Sequence, residues 1–524
     1  ISCSLVGSEM CIRDRALWEW KETNTNWFMA RRYYSTTSAI PELDRGDVDN
    51  MYNEGNSAVY KYGGLVGRLN YVYAGKYMAE FSFRYDGSYK TAPDKRWGFF
   101  PAVSAGWRIS EEQFMKDLVP QMDNLKLRAS WGSIGNDSQL NASQFVSGWQ
   151  FEDRFILGGA GNSSASITNG MKEANLANPN ITWYKVMTTN VGLDGSFWGG
   201  KLSFEFDYFY RKTTGYPATR NTSLPTTSGI PLPQENLNSS DNRGFELSLG
   251  TVQRIGNVNL QIKGNVAYAR EKDLYKEQAL PLNQYKNWRD NGAYRWKNVT
   301  WGYEHIGQFQ SYDEIYNSPI QDGKGNSSLR PGDIKYKDLN GDGLIDANDE
   351  KVIGKGTFPD LNFGLTLAAD WKGFDVNILF QGASNYTQVL NALTSPFRGP
   401  GEGNGFRVWM DSWHKADYND PDSEWVPGKF PSLRIEGNDN NSKKSTYWTT
   451  DAYYVRLKSI EIGYTIPKNL LSKVGIEHLR VYANAYNPLT ITNVKYTDPE
   501  AIEGWQSFYY PQLKVYSFGV NVSF

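Results

Sequence analysis

Apolar and polar residues alternate strictly along many segments between residue 59 and the C-terminus. In KLSFEFDYFYRK (201–212) every second residue from Leu202 to Tyr210 is apolar or aromatic, and apart from Phe209 the residues between them are polar. A period of two places successive side chains on opposite faces of a β-strand, so the pattern predicts strands with one apolar and one polar face. The chain ends on the same scheme, VYSFGVNVSF, with the apolar row Tyr516, Phe518, Val520, Val522 and Phe524.

Segments of this kind recur about thirteen times along the chain. Many of them last about ten residues or more, whereas strands of soluble proteins cluster near five or six residues. A tilted strand that crosses a bilayer needs roughly nine to eleven residues, so length favours strands that span a membrane. We predict strands near residues 59–73, 76–86, 97–109, 124–134, 184–196, 200–212, 242–254, 257–270, 358–371, 374–385, 450–466, 478–487 and 513–524.

Short and long connections between these segments alternate without a break. Outer-membrane barrels have tight turns at the periplasmic end and long loops outside. We therefore predict an all-β fold, a transmembrane antiparallel β-barrel, whose C-terminus is periplasmic and whose terminal apolar row is the barrel-insertion signal. The short links are 74–75, 197–200, 255–256 and 372–373, two modest ones are 110–123 and 467–477, and the long ones are 87–96, 135–183, 213–241, 271–357, 386–449 and 488–512.

Composition alone leaves two classes open, a large secreted β protein or a barrel in an outer membrane. The formal net charge is −2 and no basic patch stands out, so no nucleic-acid partner is expected. No stretch approaches the roughly 18 consecutive apolar residues of a membrane helix. The mean hydropathy of −0.59 fits either class, because every second residue of a barrel strand faces water. The sorted loop lengths favour the barrel.

The N-terminal residues differ from the rest. Residues 1–15 match no strand period, resemble a translated adapter and are interpreted as a non-native leader, with a genuine loop remnant as the alternative. They contain both cysteines, Cys3 and Cys11, so no disulfide is expected in the rest of the chain. We expect residues 16–58 to be the remnant of an external loop and residues 59–524 to be the C-terminal part of a barrel.

An odd strand count does not suit a complete barrel. Bacterial single-chain barrels have even numbers of strands, and open sheet edges are costly in lipid because their backbone groups lack partners. The chain is therefore predicted to be part of a larger barrel.

Several stretches resemble the barrel of the SusC/RagA family of TonB-dependent outer-membrane transporters, and the resemblance covers residues 59–524. They include GRLNYVYAGKYMAEFSFRYDGSYK (67–90), KRWGFFPAVSAGWRISEEQF (95–114), GDIKYKDLNGDGLIDANDEKVIG (332–354) and YYVRLKSIEIGYTIP (453–467). The resemblance implies about thirteen strands of a 22-stranded barrel, without the plug domain. It implies TonB-driven nutrient import, usually of an oligosaccharide and in some members of a peptide. The implied partners are a SusD-like surface lipoprotein and the TonB complex, which acts through the plug.

The segment DLNGDGLIDAND is the best local motif. It places oxygen-bearing side chains at alternate positions of an EF-hand-like loop, with Gly343 at the sharp turn. Asp349 stands where the standard loop has a bidentate Glu, and no flanking helix is evident. We expect a structural Ca²⁺ in an external loop, against the alternative of an ion-free polar turn. The predicted ligands are Asp338, Asn340, Asp342, Leu344 through its carbonyl, Asp346 and Asp349.

The sequence offers little evidence of a catalytic site, because His305, His414 and His478 are too dispersed for a triad or a zinc cluster. No enzyme activity is expected. Tryptophans in the predicted external loops are the candidate ligand surface, since flat indoles pack against sugar rings. For each of them the alternatives are loop packing, contact with the lid protein, or an interfacial girdle. These residues are Trp288, Trp296, Trp409, Trp413, Trp425 and Trp448.

A second class of function remains open from the residues alone. A passive porin, or an external adhesin that binds calcium, would share the barrel architecture.

Overall fold

In a computed structural model the chain forms one large antiparallel sheet with smaller elements in its long connections. The structure describes residues 2–6, 10–32, 42–43, 51–142, 144–157, 166–173, 176–221, 232–279, 281, 283–390, 393, 405–434, 439–471, 475–501, 510 and 512–524.

The large sheet has 15 strands, and each is hydrogen-bonded to its neighbours in chain order. All thirteen predicted segments are strands of this sheet, so the all-β barrel fold is confirmed. The strands are Ser2–Val6, Met10–Arg32, Met51–Tyr73, Tyr77–Ser88, Trp97–Arg108, Met122–Asn136, Tyr184–Phe197, Leu202–Thr219, Gln234–Ile255, Val258–Tyr275, Leu361–Trp371, Phe374–Val389, Thr449–Thr465, His478–Thr492 and Val515–Ser523.

The two additional strands lie where we expected a leader and a loop. Met10–Arg32 pairs along its whole length with Met51–Tyr73, from Met10↔Tyr73 to Arg32↔Met51. Residues 16–32 and 51–58 are thus wall of the sheet and not a loop remnant. The physical reason is local alternation, because Trp18 and Trp20 are exposed on one face while Glu19 and Lys21 point to the other. That residues 1–15 are a non-native leader stays a prediction.

The short links are tight turns that need left-handed backbone. Gly256 (φ 61°) and Gly373 (φ 91°) each close a hairpin between strands of the large sheet. Glycine adopts positive φ without the steric cost that a Cβ would impose. These turns all lie at one end of the sheet, which we call the short-turn end, and the long connections lie at the other, the long-loop end.

The two faces of the sheet differ in chemistry. Aromatic side chains stack across neighbouring strands on the apolar face, with ring centroids 6.5 Å apart for Phe206 and Phe245 and 5.9 Å apart for Phe245 and Tyr268. In a barrel of this kind the apolar face points outward to lipid and the polar face lines the interior. We call them the outward face and the inner face.

The long connections contain short helices and small two-stranded sheets. No helix in the described part of the chain is long and apolar enough to span a membrane. The α-helices are Gln113–Leu118, Gln284–Asp290, Tyr312–Tyr316, Asp439–Ser442 and Lys468–Leu471, and the 3₁₀ helices include Ile109–Glu111, Ala347–Asp349 and Arg407–Asp411. The small sheets pair Trp149–Leu157 with Ser166–Glu173, Val299–Tyr303 with Glu350–Lys355, His305–Gln308 with Ile334–Tyr336, and His414–Lys415 with Trp425–Val426.

Two long connections pack together at the long-loop end. Their apolar side chains form a buried cluster that we call the loop core. It consists of Tyr303, Ile334, Tyr336, Ile345, Leu393, Trp409, Phe430 and Trp448.

Candidate functional site

Arginine residues on the inner face bind carboxylates of neighbouring strands. Arg128 Nη2 lies 2.6 Å from Asp194 Oδ1 and 3.0 Å from Asp207 Oδ2. Arg480 forms a second such group, with Nη2 2.7 Å from Glu461 Oε1 and a further contact to Asp375. Guanidinium–carboxylate pairs with several hydrogen bonds fix geometry well. The inner wall is therefore charged, ordered and suited to a hydrated interior.

Glycines make room for these groups. A Cβ at Gly192 would lie 2.5 Å from Asp207 Oδ1 and 2.7 Å from Arg128 Nη2. A Cβ at Gly463 would lie 2.4 Å from the nearest atom of the Arg480 guanidinium. Each glycine lies on a strand between the arginine and one of its acidic partners, so a larger residue there would displace the ion pair.

A polar pocket opens on the inner face at the long-loop end. Its volume is about 660 Å³, and its lining includes Arg211, Asn242 and Glu271. Lys297 Nζ reaches Glu271 Oε1 at 2.7 Å and Asp273 Oδ1 at 3.2 Å across its rim. Closely spaced donors and acceptors of both charges suit a polar solute that offers several hydrogen-bonding groups.

The predicted calcium loop folds through hydrogen bonds from its carboxylates to its own backbone. Asp338 Oδ2 accepts from Gly343 N at 2.8 Å. The fully buried Asp349 accepts from Leu339 N at 2.8 Å and from Asp346 N at 2.9 Å, and so joins the two ends of the loop. The predicted twelfth ligand therefore serves as the internal brace of the loop.

The remaining predicted ligands do not converge. Asn340 Oδ1 accepts from Asp342 N at 3.0 Å, and Asp346 Oδ1 accepts from Asn348 N at 2.7 Å. Among the described residues, no three His, Cys, Asp or Glu side chains group closely enough to hold a metal ion. The side chain of Leu344 is exposed. The set does not match a preformed calcium site, and Ca²⁺ binding stays a prediction.

Three of the six predicted ligand tryptophans are buried. Trp409, Trp413 and Trp448 expose 5%, 4% and 1% of their surface. Trp409 and Trp448 belong to the loop core, with ring centroids 6.2 Å apart. Rings this deeply buried offer no face to a sugar, so the alternative of loop packing describes them. The expectation of a ligand surface is wrong for these three residues in this structure.

The other three tryptophans have exposed or partly exposed rings in separate places. Trp288 lies on the helix Gln284–Asp290 and is 56% exposed. Trp425 is half-buried, with Lys415 Nζ 5.1 Å from its ring centroid. Trp296 is surrounded by cations, the nearest being Arg270, whose guanidinium carbon lies 4.5 Å from the ring centroid. The six tryptophans thus do not form one sugar-binding surface.

Sequence reasoning missed the inner-face arginine groups. The signal was present, because Arg128 and Arg480 occupy polar positions of alternating strands whose neighbours carry Asp or Glu at the same parity. What the period does not give is the register between strands that brings Arg480 and Asp375 together.

The terminal apolar row lies on the outward face. Tyr516 is 64% exposed and Phe518 86% exposed, and Val520, Val522 and Phe524 are exposed as well. The strand pairs only with His478–Thr492 within the described sheet. Its role as a barrel-insertion signal stays a prediction.

The sequence is similar to those of known TonB-dependent receptors. The family model described as TonB dependent receptor-like, beta-barrel, matches residues 14–488. TonB-dependent receptor P3 of Formosa agariphila is 29% identical over 482 residues, which cover 88% of this chain and 45% of the relative. TonB-dependent receptor SusC of Bacteroides thetaiotaomicron is 26% identical over 471 residues, which cover 87% of this chain and 43% of SusC. The chain thus spans less than half the length of these curated relatives.

Solved structures share the fold. A structure of the RagAB peptide transporter superimposes with a TM-score of 0.72 at 21% identity and covers 100% of this chain and 54% of that one. The RagAB peptide importer in the open-open state gives a TM-score of 0.74 at 20% identity, with coverage of 100% and 54%.

The family model spans most of the chain, and the relatives confirm the resemblance inferred from the strand motifs. The chain belongs to the TonB-dependent receptor-like β-barrel family, and its similarity to SusC and to the RagAB structures agrees with the SusC/RagA resemblance of its strand motifs.

Proposed function

We propose that this chain forms part of the wall of a barrel that imports nutrients across the outer membrane, driven by TonB. The single observation behind the proposal is the inner face, where ordered ion pairs and a polar pocket of about 660 Å³ line the side away from lipid. Membership of a family of TonB-dependent receptors supports the same reading. It also argues against an enzyme, because the relatives are named as receptors.

The proposal fixes an orientation. The long-loop end faces outside and the short-turn end faces the periplasm, because barrels of the outer membrane have this asymmetry. The strand Val515–Ser523 then runs inward, and Phe524 lies at the periplasmic side.

An oligosaccharide is the first substrate class proposed and an oligopeptide the second. The resemblance to the SusC/RagA family supports the first. Two observations favour the second: the matched RagAB structures are of a peptide transporter, and Trp409, Trp413 and Trp448 are buried and unavailable to sugars.

The proposed partners lie on opposite sides of the membrane. A SusD-like surface lipoprotein would cover the long-loop end and hand over the substrate. The TonB complex would act from the periplasm through a plug domain.

Uptake by cells tests the proposal. A strain that lacks the gene for the intact protein is complemented with wild type, with Arg211→Ala in the inner pocket, or with Lys263→Ala on the same inner face away from that pocket. We expect TonB-dependent uptake of labelled oligosaccharides, or of labelled peptides, that falls several-fold only in Arg211→Ala. Equal uptake with and without TonB would contradict transport and favour a passive porin.

A further inference from the structure

Four cationic residues lie on the outward face just beyond the last row in which three neighbouring strands all carry an aromatic residue. The register pairs Tyr208 with Phe245 and Phe245 with Tyr268, which defines that row. The next outward positions along the same strands are Tyr210, Arg243 and Arg270, and the positions after these are Lys212, Asp241 and Lys272.

Strand geometry places these cations at the level of lipid headgroups. From Val258 next to the turn to Tyr268, the strand advances about 25 Å along the barrel axis at a rise of ~3.3 Å per residue and a tilt of ~40°. This equals the height of the apolar band on a barrel of this type, about 25 Å. Arg270 and Lys272 therefore lie directly above the hydrocarbon layer, on the side that faces lipid.

The positive charge of this group is only partly neutralised. Arg243 Nε donates to Oδ1 of the buried Asp241 at 3.2 Å. Arg270 Nε is buried, and its nearest carboxylate oxygen, Asp360 Oδ2, is 3.5 Å away, beyond a good hydrogen bond. Within the described residues, Lys212 and Lys272 form no ion pair. The group thus contains four cationic side chains but only two neighbouring carboxylates, those of Asp241 and Asp360.

An aromatic ring holds the group together. Residues 295–297 extend the free edge of the strand Val258–Tyr275, through Asp273 N to Arg295 O at 2.8 Å and Lys297 N to Glu271 O at 2.9 Å. Trp296 is then opposite Lys272 and shares its outward face. Its ring centroid lies 4.5 Å from the Arg270 guanidinium carbon, 5.8 Å from Lys272 Nζ and 5.9 Å from the Arg243 guanidinium carbon.

We propose that Lys212, Arg243, Arg270, Lys272 and Trp296 form a binding site for the phosphate-bearing headgroup of a lipid in the outer leaflet. Guanidinium groups bind phosphate oxygens in pairs and lysine adds charge. Tryptophan is enriched at this depth because its ring is apolar and its N–H is polar. Trp296 is thereby assigned to lipid and not to substrate. The site rests on the orientation given under the proposed function.

Lipid binding by the intact purified protein tests the site. The probe is purified lipopolysaccharide, with its dephosphorylated form and inorganic phosphate as separate ligands. The variant Arg270→Gln/Lys272→Gln is compared with Arg254→Gln/Lys263→Gln, which removes the same charge from the inner face of two neighbouring strands. Heat-modifiable mobility on gels verifies that each variant is folded.

We expect the Kd for lipopolysaccharide to rise roughly 30-fold in the outward variant, from the loss of two surface charges, and to stay unchanged in the inner variant. Dephosphorylated lipid should bind wild type as weakly as intact lipid binds the outward variant. Equal loss in both variants, or equal affinity for dephosphorylated lipid, would overturn the site. Saturation by millimolar inorganic phosphate that displaces the lipid would assign the site to free phosphate and also overturn it.

Failure of this site and failure of the transport proposal are separable. Binding of phosphatidylglycerol but not of lipopolysaccharide would overturn the orientation on which the site rests. If the protein binds lipid as expected but supports no TonB-dependent uptake, the lipid site is supported and only the transport proposal is contradicted.

Discussion

A single carboxylate, that of Asp349, closes the 338–349 loop. It is fully buried and accepts two backbone N–H groups from opposite ends of the loop. A buried donor that loses its acceptor costs about 1–3 kcal/mol, and Asp349→Ala leaves two such donors. We expect amide hydrogen exchange to accelerate over residues 339–346. The control Asp342→Ala removes an exposed carboxylate and should change exchange far less; equal effects would contradict the bracing role.

Gly192 permits the inner-face ion pairs of Arg128. The added methyl of Gly192→Ala would overlap Arg128 and Asp207, and overpacking of this kind costs about 1–3 kcal/mol. We expect a lower urea midpoint for unfolding of the intact barrel. Gly264→Ala is the matched control, because its Cβ would meet no atom closer than 3.8 Å. A midpoint lowered equally by both substitutions would show that strand glycines matter for another reason.

Asp322 lies in a long connection outside the spanning strands, and its titration should make the local stability of that connection depend on pH. Burial raises its pKa, but hydrogen bonds from Ser328, Lys324 and Asn326 outweigh this and lower the pKa to about 2. A carboxyl whose pKa is lower in the folded state stabilises that state above its unfolded pKa and loses this contribution as the pH falls. We expect the protection factors of the amides at 324–328 to decline between about pH 4 and pH 2. In Asp322→Asn this step should disappear, and its persistence would assign it to another group.

At the scale of elements, the strands were predictable because each carries its own alternation. A strand such as Leu202–Thr219 displays its apolar row without reference to any partner. The strand Met10–Arg32 and residues 51–58 of its partner strand were not predicted, because polar stretches weaken the period there. In the strand Val258–Tyr275, the alternation that places Tyr268 on the outward face also places Arg270 and Lys272 there. The outward position of these two cations could therefore be read from the sequence.

The loop core was not predictable from local pattern. Tyr336 and Trp448 share one buried cluster although they lie far apart in the chain, and a period of two encodes no such contact. For the same reason the burial of Trp409 and Trp413 became visible only in the structure. The inner-face pairs of Arg480 likewise depend on register between strands and not on the strands themselves.

The loop DLNGDGLIDAND makes a prediction at this scale. The buried Asp349 already accepts hydrogen bonds from two backbone N–H groups, so Ca²⁺ would have to draw on the side-chain oxygens of Asp338, Asn340, Asp342 and Asp346. We therefore expect a Kd for Ca²⁺ in the millimolar range that is typical of extracellular calcium-binding modules. Calorimetry of the intact protein with CaCl₂ should show weak binding that Asp338→Ala/Asp342→Ala abolishes. No heat at 10 mM Ca²⁺, or binding unaffected by the double substitution, would contradict the site.

At the scale of the whole molecule, the sheet is a wall with two chemically distinct faces. Its strands follow one another in chain order, and Ser2–Val6 and Val515–Ser523 are the edges of the described sheet. Lipid on one side and a hydrated interior on the other explain why the aromatic rows lie on the outward face and the ion pairs of Arg128 and Arg480 on the inner face. The proposed transport, the proposed contact with a lid protein and the proposed lipid site all depend on this division.

Spin labels at paired positions test this division most directly. Phe206, Ile262 and Val520 are outward, whereas Asp207, Lys263 and Asn521 are their inner-face neighbours. In the intact protein in lipid, we predict that relaxation by oxygen is faster at the first three and relaxation by a water-soluble nickel complex is faster at the second three. Equal accessibility to both reagents at neighbouring positions, or protection of Phe206, Ile262 and Val520 from both, would contradict the account.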